Sequence, residues 1–228
     1  MSERIDEINN KYLDIWEKYH NSDNLEIKDL LAKVPMQYSA FEKSTNGVLY
    51  IGLNPSLIKE RTDDPLFNWH NKNECISKQT KILQFEINAK FDSQFFKPMR
   101  DFSIKTDTAW QHIDVFPIRK TSSRDLAAEL KGLSLEEELL EIFDELLASI
   151  LENSAPKLIV VVNAKASHKL HSRWVGKICV WDDIRCCYEL AYHDKITPVF
   201  FSGQLTGGAS DTYSQDRLFW LMKKIIYE

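Results

Sequence analysis

From residue 4 to residue 19, Ile5, Ile8, Tyr12, Leu13, Ile15, Trp16 and Tyr19 recur at helical spacing among charged positions, which predicts an amphipathic N-terminal helix. A second, shorter helix is expected over Ile27 to Lys33, stopped by Pro35, so that residues 1–45 form an N-terminal helical layer. The pattern then changes to unbroken apolar runs. Val48 to Gly52, Trp110 to Phe116, Lys157 to Val162 and Pro198 to Ser202 predict four core strands, because continuous β-branched and aromatic runs suit strands covered on both faces. Between the second and third, "SLEEELLEIFDELLASILE" carries a capping-box pair, Ser134 and Glu137, ahead of an amphipathic helix. Strand, helix and strand of this length imply a right-handed parallel crossover. "ICVW" and "CCYELAY" are expected to form a hairpin, and "SDTYSQDRLFWLMKKI" a closing helix. Leu57 to Asp107 is the longest stretch without a clear period and is expected to be irregular.

This order predicts an α/β fold: one domain over residues 1–228, a three-layer α/β/α sandwich with a central, mainly parallel four-stranded sheet. A chain of 228 residues is long enough to bury a substantial core. Its net charge of -5 argues against diffuse electrostatic coating of nucleic acid and leaves a local basic surface as the way to meet phosphate. No segment approaches the ~18 continuous apolar residues of a membrane span, and the charged N-terminus lacks a signal-peptide core, which predicts a soluble cytoplasmic protein with no membrane partner. Cys75, Cys179, Cys186 and Cys187 lack paired C-x-x-C spacing, so reduced thiols are expected rather than a metal cage.

In open parallel sheets ligands bind beyond the carboxyl ends of the strands, so the residues that leave each strand carry the candidate chemistry. The first strand runs into "GLNPS", where Pro55 holds Asn54 extended and Gly52 permits close approach. The second ends near Asp114 in "QHIDVFPIRK", and the fourth runs into "FSGQLTGG", which feeds the last helix. Each has a bland reading: Asn-Pro-Ser as a turn, Asp114 paired with Arg119, Gly207-Gly208 as a bend into the helix. Their common placement at one edge is what points to a site.

The stretches "VLYIGLNPS", "HIDVFPIR", "PKLIVVVNAKAS" and "TPVFFSGQLTGG" resemble the uracil-DNA glycosylase superfamily, in particular the branches with a Gly-x-Asn-Pro motif. The layout matches from Val48 to the C-terminus, and "GLNPS" is the specific part. The resemblance implies cleavage of the bond between a damaged base and deoxyribose without metal or cofactor. By carry-over, Asn54 would position the attacking water or the leaving base, and Asp114 would stand where the family usually has a base-reading Asn. Gly52, Leu53, Pro55 and Phe116 would line the base pocket, with Ser202, Gly203, Gln204 and Thr206 opposite. The family's second motif, a His-Pro-Ser or Asn-Pro-Ser triplet after the last core strand, is replaced by "FSGQLTGG". An ionised Asp114 would accept hydrogen bonds and donate none, so ordinary uracil recognition would change.

Trp69 and His70 in "NWHNK" follow the first motif, where Trp69 is a candidate to stack on a flipped base, against the alternative of a buried Trp beside an exposed His. His112 and Asp114 share a strand face, too few ligands for a metal. From Asn153 to Trp181, Lys165, Lys169 and Arg173 belong to a segment without acidic residues before Trp181, a candidate surface for the nucleic-acid backbone. "GLNPSLIKERT" lacks the G-K-[ST] ending of a P-loop. Three readings remain: a glycosylase of a damaged or modified base in DNA, an inactive nucleotide- or nucleic-acid-binding module, and a hydrolase of a small nucleoside-like substrate. The expected partner is DNA or a nucleobase-containing ligand, bound by a monomer without cofactor.

Overall fold

A computed structural model describes residues 2–39, 47–56, 63–206 and 211–228. Gly207 and Gly208 lie outside the described residues. The chain is α/β and divides into two compact units, one of Met1–Ala40, Leu53–Lys90 and Asp114–Ser149, the other of Phe41–Gly52, Phe91–Ile113 and Ile150–Glu228. Among the described residues no helix is long and apolar enough to cross a membrane.

The first unit is helical. It holds α1 (Ser2–His20), α2 (Leu25–Leu30), α3 (Lys72–Asp92, to Lys90), α5 (Ser123–Leu130) and most of α6 (Ser134–Asn153). All seven apolar residues of the α1 stripe are buried. An extended segment follows α2. Asn9 of α1 clamps it by donating from Nδ2 to the Tyr38 carbonyl at 2.8 Å while its Oδ1 accepts from the Tyr38 amide at 2.9 Å. The Val34 amide donates to the Phe67 carbonyl and the Met36 amide to the Pro117 carbonyl, both at 2.8 Å, so this segment is held by backbone from two loops.

The second unit carries the sheet. Its strands are β1 (Val48–Gly52), β2 (Trp110–Asp114, to Ile113), β3 (Leu158–Val161), β4 (Cys179–Asp182), β5 (Cys187–Tyr192) and β6 (Lys195–Phe201), in the order β2-β1-β3-β6-β5-β4. β1 and β3 are parallel, with Val48 opposite Leu158, and β3 and β6 are parallel, with Val160 opposite Phe200. The sheet is six-stranded and mixed, not four-stranded. The expected hairpin, β4–β5, adds to the open side of β6 in antiparallel register, Tyr188 opposite Val199, and so covers what would otherwise be an exposed edge. α4 (Lys97–Thr106) and α8 (Thr212–Tyr227) pack on one sheet face, where Met99, Phe102, Met222 and Ile225 meet Tyr50, Val160 and Phe200. α7 (Ala164–Trp174) lies against the other face, its Trp174 ring 6.1 Å from that of Phe201.

The expected irregular stretch from Leu57 to Asp107 instead contains α3 and α4. α3 escapes the pattern because its buried residues are Cys75, Ile82 and Glu86: a carboxylate stands where helical spacing calls for an apolar side chain.

Candidate functional site

The site is built where β1 and β2 end. β2 stops at Asp114, so Val115 and Phe116 already belong to the loop. That loop pairs with the turn after β1. The Phe116 amide donates to the Leu53 carbonyl at 2.8 Å, and the Lys120 amide donates to the Pro55 carbonyl at 3.3 Å. Asn54 fastens the two together: its Nδ2 donates to the carbonyls of Lys120 at 2.7 Å, Pro55 at 3.2 Å and Ile118 at 3.3 Å. An amide nitrogen has two protons, so three carbonyls consume its donor capacity. Among the described residues Asn54 Oδ1 accepts no hydrogen bond, and Asn54 is half-buried. Its acceptor oxygen is the part left to chemistry.

Asp114 is 3 % exposed. The Tyr38 hydroxyl donates to its backbone carbonyl at 3.1 Å. Around its carboxylate stand Glu86 and Lys90, one turn apart on α3, and Arg119. Arg119 ion-pairs with Glu86, donates from Nε to the Val34 carbonyl at 3.1 Å and lies over the Phe67 ring, 4.7 Å from its centroid. Arg119, offered by the sequence as a partner for Asp114, ion-pairs with Glu86 and acts on Asp114 as a neighbouring charge.

Burial and the neighbouring Glu86 push the Asp114 carboxyl well above the ordinary carboxylate range, against the opposing pull of Lys90 and Arg119. Burial also lowers the Lys90 ammonium, opposed by Glu86 and Asp114, and raises the Tyr38 phenol. A carboxyl so placed keeps its proton to higher pH than an ordinary Asp. In its protonated form it can donate one O–H hydrogen bond as well as accept, whereas an Asn amide has two protons to donate. The expectation of an acceptor-only carboxylate therefore changes.

Gly52, Leu53, Pro55 and Phe116 are buried around the two strand exits. Trp69 is 5 % exposed, its amide bonded to the Ala32 carbonyl, and His70 is exposed; the indole is packed inside and offers no free face for stacking a base. In the other unit, Ser202 is fixed by donating its amide to the Val161 carbonyl at 2.9 Å, and its own carbonyl accepts from Ser167 Oγ at 2.7 Å. Gln204 donates from Nε2 to Thr206 Oγ1 at 3.1 Å, and Gly203 is half-buried beside them. Lys165, Lys169 and Arg173 all lie on α7, Lys165 exposed and the other two half-buried. The ring of His112 packs edge-on against Phe96, with centroids 4.8 Å apart.

Glu86, Lys90 and Tyr38 carry no sequence signal that singles them out. The nearest to one is the i, i+4 pair Glu86–Lys90 on the same helical stripe as Ile82, which reads as a solvated face until the helix is placed. No protein-family model matches the chain, and no curated protein matches it.

Proposed function

We propose that the chain is a uracil-DNA glycosylase-like protein that hydrolyses the N-glycosidic bond of a damaged or modified base in DNA. The observation that carries this reading is the division of labour at the two strand exits: Asn54 spends its donors on backbone and keeps one acceptor, while the neighbouring exit ends in a buried carboxyl whose pKa burial and Glu86 raise. In the reaction, the base leaves with the electron pair of its bond to C1′, a water oxygen bonds to that carbon, and the proton the water sheds ends on the departing base. Asn54 Oδ1 accepts a hydrogen bond from the water and orients it. Asp114 donates its O–H to a carbonyl oxygen of the base and offsets the charge that grows there, the task otherwise expected of the missing second motif. Lys165, Lys169 and Arg173 are the proposed phosphate contacts. The reading carries with it a three-layer α/β/α sandwich and a cytoplasmic monomer, and the parallel neighbours β1, β3 and β6 support the former.

Duplex and single-stranded oligonucleotides carrying uracil, hypoxanthine, xanthine or mismatches test it. The native chain excises at least one of these bases, and Asn54→Ala lowers the rate about 100-fold. Activity falls as pH rises through the raised Asp114 pKa, whereas Asp114→Asn shows no such fall and turns preference toward uracil. No excision anywhere on the panel, with retained base-dependent binding, selects the binding module instead. The absence of a His-Pro-Ser triplet in "FSGQLTGG" is the observation that favours that second reading.

A further inference from the structure

One side of α8 faces the core and the other faces solvent in a regular way. Met222, Ile225 and Ile226 are buried, and Tyr213, Trp220 and Tyr227, spaced by seven residues, are 86 %, 55 % and 62 % exposed. Seven residues make almost two helical turns, so the three rings stand in one row at intervals of roughly 10 Å. Arg217, Lys223 and Lys224 are exposed between them, with Asp216 the one carboxylate within the helix. Lys224 Nζ lies 4.0 Å from the Trp220 ring centroid and Lys223 Nζ 5.8 Å from that of Tyr227. Trp220, Lys223, Lys224, Tyr227 and Glu228 border an open depression of about 550 Å³.

We infer that this face of α8 is a binding surface for single-stranded nucleic acid, with bases stacked on Trp220 and Tyr227 and phosphates held by Arg217, Lys223 and Lys224. The argument is one of complementarity. In a chain of net charge -5, this helix carries three cations against one anion, and the cations alternate with large exposed π-faces. That alternation is what a polyanion with stackable bases requires. A lipid surface fits less well, because the exposed side of the helix offers no aliphatic side chain to insert; its Leu, Met and Ile residues turn inward or lie half-buried. The lysines now over the rings give way to a base and keep their charge for the adjoining phosphate.

The surface is separate from the α7 lysines. α8 packs on the sheet face that carries Phe200, α7 on the face that carries Phe201, and successive strand residues point to opposite faces. It therefore stands or falls apart from the base-excision reading.

A fluorescein-labelled 20-mer of oligothymidylate, titrated with the full chain in low salt and followed by anisotropy, is the direct test. Binding is expected to quench tryptophan emission. Trp220→Ala and Tyr227→Ala each weaken it about tenfold. Lys223→Glu with Lys224→Glu weakens it further and reduces the slope of log affinity against log salt by roughly one for each phosphate that is no longer neutralised. Equal affinity in Trp220→Ala and the native chain overturns the inference, as does no binding by the native chain. Sedimentation of the chain with anionic vesicles that Trp220→Ala abolishes, in place of oligonucleotide binding, assigns the face to lipid and likewise overturns it.

Discussion

The two units differ in whether they bury charge. Beneath α4 and α8 the second unit packs Val48, Tyr50, Val160, Phe200 and their neighbours, and among its described residues no Asp, Glu, Lys or Arg is buried. The first unit places Glu86, Arg119 and Asp114 inside, each under a tenth exposed, with Lys90 half-buried beside them. An apolar core gains free energy roughly in proportion to the area it removes from water. Buried charges lose hydration, and their mutual attraction restores it only when geometry and hydrogen bonding are good. A cluster of this kind is a poor way to stabilise a fold, and its placement beside two strand exits is what gives it meaning.

Breaking the charged cluster should have the larger effect. Arg119→Met leaves Glu86 buried without its cation and removes the guanidinium from the Phe67 ring, so the folded state should lose about 3–5 kcal/mol. Chemical denaturation measures it. Adding Glu86→Leu to the same chain should return much of that loss, because two apolar side chains carry no desolvation penalty. If the double variant is no more stable than Arg119→Met, Glu86 and Arg119 do not act as one electrostatic unit.

Asp114→Asn sharpens the contrast through pH. The carboxyl is raised in the folded chain, so between the ordinary carboxylate pKa, about 3.9, and the raised value the folded state binds more protons than the unfolded one. Stability contributed by this group is then present at acid pH and lost as pH rises through that window. The Asn variant lacks the loss. Its thermal midpoint should exceed that of the native chain at pH 8 and match it near pH 4; equal differences at both would show that Asp114 titrates as an ordinary carboxylate.

The smallest effect belongs to the apolar core. Ile159→Val deletes one methylene group from a fully buried strand and should cost about 1 kcal/mol, with no dependence on pH. A pH-dependent loss there would mean that the two interiors are energetically coupled.

The same contrast governs what the sequence reveals. Strand runs such as "LIVV" and the stripe of α1 are legible because burial and hydrophobicity coincide in them. So is Asn54, because Gly52 and Pro55 mark its turn. α3 is not legible, since Glu86 and Lys90 sit where an apolar stripe would continue; the residues that hide the helix from a hydrophobic pattern are those that shape the site. Trp69 reads either way, and only packing decides that it is buried. The hairpin β4–β5 is visible as a local object, but its attachment to β6 is a long-range pairing with no local signature.

The strand order also sets how long each backbone proton survives in heavy water. β3 is flanked by β1 and β6, so its amides can exchange only when the sheet opens around them, and they should report the global unfolding free energy. β4 closes the row, and among the described strands it pairs with β5 alone. Its amides should exchange through local peeling of the hairpin, orders of magnitude sooner, and the deuterium map should grade from β4 through β5 and β6 to β3.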